Sequence, residues 1–353
     1  MLDITPPLPH PGPQISICIP VYNVKPYLKE LLKSITSQDF TGITYEVLFV
    51  DDCSTDGSYA FLFEITNSLE NIRILKNEVN SGISYTRNRL MDNAQGEYIW
   101  FVDSDDMIQL DSVKQLLRIA HETSADIVLA NYEKVSENAS FVPTEHVDNI
   151  DYREVSFNKL DWLPDRHSNC RMLSVCRGLF KKNFLNTHHL RFNEKVIMKE
   201  DALLYYEIGV TYPKTIKCEY VCYSVRQRST SAMSGLNEEK AIKYFSSSVA
   251  LMEVYQSYAA NRAADPDKFR ALLEEEKKQT IRYLLYTSDR TLVKANLQQL
   301  KQNGFYPYTV QIKKLNSIRN VIDWLLSCSV CFWMFYFARK LKKAVKKMTP
   351  IVP

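Results

Sequence analysis

Glycine is scarce in this chain, with only 9 among 353 residues. None of them builds a GxGxxG run after the first strand-like segment, and no GxxxxGK[ST] occurs, so neither a dinucleotide fingerprint nor a phosphate-cradling P-loop is present. Long apolar runs are also missing. The charge-free segment Trp324–Ala338 has 15 residues, short of the ~20 that a spanning helix needs. The proline-rich start, Met1–Pro13, has neither the basic opening nor the apolar middle of a signal peptide. An excess of one charge is lacking as well. The net charge is +3, and Arg339, Lys340, Lys342, Lys343, Lys346 and Lys347 sit together near the end. The remainder is therefore slightly acidic, without the broad basic face of a nucleic-acid binder. Eight cysteines occur, but Cys328-Ser329-Val330-Cys331 has no second ligand pair beside it, so a zinc or redox site is not expected. Cys18 and Cys53 fall in or beside apolar strands and read as small buried residues. Reduced thiols and a cytosolic address fit this usage.

The chain is 45% hydrophobic and 24% charged, enough for an ordinary folded core, and its length suggests two or three structural units. One stretch organises the rest: Gly96-Glu97-Tyr98-Ile99-Trp100-Phe101-Val102-Asp103-Ser104-Asp105-Asp106. Large apolar residues without alternation read as a strand buried on both faces of a parallel sheet. Similar strands are expected at Ile15–Ile19, Tyr45–Val50, Ile72–Leu75 and Asp126–Ala130. Between them, helical spacing appears at Tyr27, Leu28, Leu31, Leu32 and Ile35, after Ser54-Thr55-Asp56-Gly57, after Asn80-Ser81-Gly82, and from Leu110 to about Glu122. Strand and helix alternate with short links, which predicts an α/β fold with a mostly parallel sheet covered on both faces.

Ligands of such sheets gather beyond the carboxyl ends of the strands. The strand ends here are polar and acidic: Tyr22-Asn23, Asp51-Asp52, Asp103 and Asp105. Acceptors at three strand ends suit a nucleoside, whose base N–H and ribose hydroxyls are donors. Two carboxylates two residues apart repel unless a cation or donor lies between them. Oxygen ligands suit Mg²⁺ or Mn²⁺, which usually also holds substrate phosphates. The alternative for each is plainer, an acidic turn or helix cap facing water.

These residues carry a resemblance. Pro20-Val21-Tyr22-Asn23, Val50-Asp51-Asp52-Cys53-Ser54-Thr55-Asp56-Gly57, Asn80-Ser81-Gly82 with Arg87-Asn88, and Asp103-Ser104-Asp105-Asp106 resemble the family 2 glycosyltransferases of GT-A fold, in that family's order and spacing. The match is tight over residues 15–131 and looser to about 234. There Cys176–Lys182, Arg191-Phe192-Asn193-Glu194 with Glu200-Asp201, and Arg226-Gln227-Arg228 with Ser231 resemble later family segments. Cys53 stands where the family usually has glycine, and Val225 where an aromatic residue often precedes the first arginine. The resemblance implies inverting transfer of a sugar from a nucleotide-diphospho donor, by family frequency a UDP-hexose or UDP-N-acetylhexosamine, to an acceptor hydroxyl. It implies that Asp52, or else Asp51, accepts from the nucleobase, that Pro20, Tyr22, Asn23 and Ser104 line the nucleotide site, and that Asp103 holds ribose or assists the metal. Asp105 would ligate Mn²⁺ or Mg²⁺, Arg226 and Arg228 would face the diphosphate, Asp201 (or Glu200) would be the general base, and Arg87 would support the nucleotide pocket. A non-catalytic sugar-nucleotide binding module and a nucleotidyltransferase are the competing functions.

From about residue 235 the pattern becomes helical, at Glu238–Ala260, Asp265–Tyr286 and Leu292–Gln302. The expected layout is an irregular arm at 1–14, a glycosyltransferase domain at 15–234 (nucleotide part 15–131, acceptor part 132–234), a helical extension at 235–315, and a tail at 316–353. Aromatics followed by six cations suit a helix lying in a membrane interface. With the family, that suggests a lipid-linked glycan acceptor at the inner face of the cell membrane.

Overall fold

The computed structural model describes residues 12–142, 150–155, 174–228, 237–260, 266–306, 322, 326–327 and 329–348. Ser231, Cys170, Cys328, Trp324 and nearly all of the amino-terminal arm lie outside them. The chain divides into two compact units, one of residues 1–194 and 199–231, the other of residues 195–198 and 232–353.

The first unit is built on one sheet. Its opening strands are β1 (Ile15–Val21), β2 (Tyr45–Asp51), β3 (Ile72–Lys76) and β4 (Tyr98–Phe101). Every residue of β1 and β4 is buried, as their unbroken apolar runs require. The helices α1 (Leu28–Thr36), α2 (Ser58–Thr66), α3 (Ile83–Asn93) and α4 (Ser112–Thr123) alternate with them, α4 following the two-residue strand β5 (Met107–Ile108). In α1, Leu28, Leu31, Leu32 and Ile35 form the buried stripe that helical spacing predicts. The later strands are β6 (Ile127–Ser136), β7 (Tyr152–Val155), β8 (Gly178–Lys181) and β9 (Thr215–Gln227), with helices α5 (Lys182–Thr187) and α6 (Glu200–Gly209) between β8 and β9.

The strand order is β3-β2-β1-β4-β8-β6-β9-β5, with β7 on β9. Strands β1, β2, β3, β4, β6 and β9 share one direction, while β5, β7 and β8 run against it. Ile15 pairs with both Tyr45 and Tyr98, and Val21 with Asp51, so the carboxyl ends of β1, β2 and β4 finish side by side. This brings three acidic or polar turns to one edge. At the centre, Trp100 is fully buried and its indole N–H donates to the Cys176 carbonyl at 2.9 Å. Removing such a side chain typically costs about 3–5 kcal/mol. Gly178 lets β8 close against β6, since a Cβ there would lie 1.8 Å from the Val128 carbonyl oxygen.

The second unit is helical: α7 (Glu238–Ala260), α8 (Pro266–Leu284), α9 (Arg290–Gln302) and α10 (Ser329–Met348). Asp289 caps α9 by accepting from Thr291 N–H at 2.7 Å and Leu292 N–H at 3.2 Å. The aromatic segment of α10 differs from the expectation of a membrane-facing stripe. Phe332 and Tyr336 are buried, Tyr336 donates to the Ser288 carbonyl at 3.2 Å, and the Arg290 guanidinium lies over Trp333 and Phe337. Half of the stripe is thus internal packing, while Met334 and Phe337 remain exposed. No helix among the described residues is long and apolar enough to cross a membrane.

Candidate active site

The turn after β4 is fixed from below by β9. Asp103 N–H donates to the Tyr223 hydroxyl at 2.9 Å, and Arg226 N–H to the Asp106 carboxylate at 2.7 Å. Asp106 and Ser104 face inward and are nearly fully buried, leaving Asp103 and Asp105 at the rim. Burial, then the neighbouring Asp103 charge, pushes the Asp105 carboxyl above its ordinary range. These two carboxylates match what a magnesium-type ion takes from protein when phosphates and water complete its shell. Among the described residues no group of three His, Cys, Asp or Glu forms a self-sufficient metal site. The donor set therefore fits a cation shared with a phosphate ligand.

Arg87, buried on α3, is the hub of the site. Its guanidinium donates to Asp103 at 3.0 Å, Glu200 at 2.9 Å and Asp201 at 2.6 Å, and rests 5.3 Å from the Phe192 ring centroid. Burial works against its charge, but the three carboxylates outweigh that and hold it charged. Its partners crowd one another. Burial, then the Asp201 charge, pushes Glu200 up to about 7, and burial raises Asp201 despite Arg87. Glu200 and Asp201 open α6, where the helix dipole favours acids. Asp201 is anchored twice, since its second oxygen accepts from Val175 N–H at 3.1 Å. Asn88, next to Arg87, grips the segment leading to α6. Its amide donates to the Phe192 carbonyl and accepts from Phe192 N–H, both at 2.9 Å. The Arg87-Asn88 pair thus holds the acid-bearing segment. Through Asp103, Arg87 also reaches the side where the nucleotide pocket is expected.

At the β2 end the two aspartates are held differently. Asp52 accepts from the Asn77 amide at 2.7 Å and from the N–H groups of Ser81 and Gly82, each at 2.8 Å. Both oxygens thus anchor the start of α3, a structural use that favours Asp51, the other expected candidate, as the nucleobase acceptor. Asp51 keeps one oxygen without a partner, its other accepting from Ser54 N–H at 3.0 Å. Cys53 lies at φ 60°, the left-handed conformation that suits the family's usual glycine. Asn23 also has positive φ and ties this turn to β1, accepting from Thr55 N–H at 2.8 Å and donating its own N–H to Ser54 Oγ at 3.0 Å. Pro20 is buried within β1, and Tyr22 stands half-exposed beside it.

The two late arginines diverge as well. Arg226 is buried, with its guanidinium donating to the carbonyls of Asp105 at 2.8 Å, Glu137 at 2.7 Å and Ala139 at 2.7 Å. It braces the β4 turn instead of facing a diphosphate, because backbone acceptors already use its fork. Arg228 is ion-paired to Asp105 at 2.6 Å. Tyr27, which sequence periodicity marks only as part of an apolar helix face, is the platform for both guanidiniums, at 5.3 and 5.2 Å. Neither Tyr27 nor Tyr223 carries a local signal of these roles. The aromatic residue missing at Val225 was the one hint that another ring must seat the arginines.

Residues 16–182 match the family described as Glycosyl transferase family 2. The match spans 167 of the chain's 353 residues. Among curated relatives, the poly(ribitol-phosphate) beta-N-acetylglucosaminyltransferase TarS of Staphylococcus aureus is 36% identical over 124 residues, covering 35% of this chain and 22% of that protein. The chain therefore aligns with about a fifth of that relative. A crystal structure of S. aureus TarS 1-349 in complex with UDP-GlcNAc superposes with a TM-score of 0.54 at 21% identity, covering 90% of this chain and 80% of the other. The mannosyltransferase PcManGT of Pyrobaculum calidifontis, in complex with GDP-Man and Mn²⁺, gives 0.52 at 14% identity, covering 98% and 91%. These likenesses show the GT-A fold, a mixed α/β architecture on a mostly parallel sheet. Glu200, Asp201, Arg226 and Arg228 lie beyond the family match and rest on the geometry above.

Proposed function

We propose that the chain is an inverting glycosyltransferase that moves a hexosyl or N-acetylhexosaminyl group from a UDP-sugar to an acceptor hydroxyl. The observation that carries this is the Arg87 cluster, which joins Asp103 on the donor side to Glu200 and Asp201. Asp51, with its unpartnered oxygen, would accept from the nucleobase beside Tyr22. Asp103 and Asp105 would hold Mn²⁺ or Mg²⁺, which offsets the charge that builds on the departing diphosphate. Arg228 supplies a guanidinium to the same phosphates. Asp201 takes the proton as the acceptor oxygen bonds to the anomeric carbon and the bond to UDP breaks, the electron pair leaving with UDP. The double anchoring of Asp201 holds it in a fixed geometry for in-line attack.

The TarS relative acts on poly(ribitol-phosphate), which supports a cell-surface glycan as acceptor. A lipid-linked form of it, met at the inner face of the cell membrane, is the reading that the cations of α10 and its exposed Met334 and Phe337 favour. The helical unit at 235–353 would then serve acceptor or membrane contact. Intact Asp103, Asp105 and Asp201 weigh against a binding module, and the Pro20–Asn23 turn lacks the glycine- and arginine-rich loop of nucleotidyltransferases. The test is a donor panel (UDP-GlcNAc, UDP-Glc, GDP-Man) with Mn²⁺, read by thermal shift and by release of nucleoside diphosphate. A donor at 100 times its Kd adds about 2.7 kcal/mol of stability. A UDP-sugar should raise Tm and release UDP; binding without release points to the module, and no shift with any donor contradicts the proposal.

A further inference from the structure

Resting on the function proposed above, we infer that Arg228 is an internal counter-ion that keeps Asp105 from taking a divalent ion until a nucleoside diphosphate arrives with it. Arg228 and Asp105 are both mostly buried and meet at 2.6 Å, closer than any pair at the rim except Arg87–Asp201. The guanidinium is also seated on Tyr27, 5.2 Å from the ring centroid, a ring that it shares with Arg226. Asp105 cannot turn away as a whole, because its carbonyl accepts from Arg226 and the turn is tied to β9 through Asp106 and Asp103. The carboxylate and the guanidinium are the parts free to change partners.

The electrostatics set the sign of the coupling. A divalent ion on Asp105 alone would lie close to the Arg228 charge, in a site where partial burial weakens the screening of that repulsion by water. A diphosphate supplies oxygens for both cations at once, so the metal and Arg228 no longer compete for one carboxylate. Metal and nucleotide therefore favour each other's binding, and the reciprocity is exact by linkage. Arg226, locked onto backbone carbonyls, cannot play this part; Tyr27 serves both arginines, but only Arg228 has a carboxylate to release. The outcome is a site that stays metal-poor when no donor is present.

The test is Mn²⁺ affinity of the full-length protein, by electron paramagnetic resonance, with and without UDP. The wild type should bind Mn²⁺ weakly alone and about 5–150-fold tighter with UDP. Arg228→Met should bind Mn²⁺ alone at least about fivefold tighter than the wild type and gain far less from UDP. Arg228→Lys, which keeps the charge, should stay near the wild type. Circular dichroism melts of both variants check that they fold. Unchanged or weaker Mn²⁺ binding by folded Arg228→Met, with UDP coupling intact in the wild type, overturns the counter-ion role alone. A wild type that binds neither UDP nor Mn²⁺ overturns the donor site and this inference together.

Discussion

The two halves of the sheet are built on different logic. In β3-β2-β1-β4 every strand runs the same way and ends at the same edge, so each delivers its own polar turn there. In β8-β6-β9-β5 directions are mixed, and the functional groups come from a helix start and the far end of β9. The first half places donor-side acceptors through local sequence. The second places the acids and arginines through contacts about 100 residues apart in the chain, such as Arg87 with Asp201 and Arg226 with Asp106. On the function proposed, the parallel half would be a nucleotide shelf that a short segment can encode, whereas the mixed half is a clamp that only the finished fold assembles.

Four variants and a pH series test how separate these halves are. Asp201→Asn belongs to the clamp: turnover should fall about 10²–10⁴-fold with UDP affinity nearly unchanged, measured by UDP release and calorimetry. Retained turnover would move the base to Glu200. Arg87→Met removes the bond between the halves and leaves Asp103, Glu200 and Asp201 facing one another. Stability should drop about 3–5 kcal/mol in urea unfolding, since an unpaired buried charge cluster remains. At the β2 end, Asp52→Asn should cost about 1–3 kcal/mol by stranding the Ser81 and Gly82 N–H groups. Asp51→Asn should leave stability nearly intact and weaken UDP binding about tenfold, the worth of one hydrogen bond. The reverse pattern would restore Asp52 as the base-reading residue.

The smallest effect is pH dependence of the clamp. Glu200 sits at about 7 in the folded protein, above the ordinary value of 4.5. The folded state therefore binds the proton more tightly, and this contribution is full below pH 4.5 and lost as pH rises through 7. Asp105, Asp106 and Asp201 are shifted the same way. Unfolding free energy without metal or donor should thus fall by roughly 1 kcal/mol or more from pH 5 to pH 8, and Glu200→Gln should flatten that slope.

Much of the shelf was legible because hydrophobic runs and their terminal carboxylates are contiguous. The runs at Ile15, Tyr45, Ile72 and Tyr98 became β1 to β4 almost residue for residue. What misled was the choice between adjacent like residues. Nothing local distinguishes Asp51 from Asp52, or Arg226 from Arg228; the partners that decide are Asn77, Gly82, Glu137 and Ala139, brought in by tertiary folding. In α10 the aromatic stripe was visible, but its division between internal packing and surface depends on Ser288 and Arg290 of the preceding helical segment.

The most direct measurement is calorimetric UDP affinity of the full-length protein and Asp105→Asn, each with Mn²⁺ and with chelator. The wild type should bind UDP at least about fivefold tighter with Mn²⁺, and Asp105→Asn should bind it equally in both. Mn²⁺-dependent UDP binding that survives in Asp105→Asn would contradict a donor site centred on the carboxylates at the end of β4.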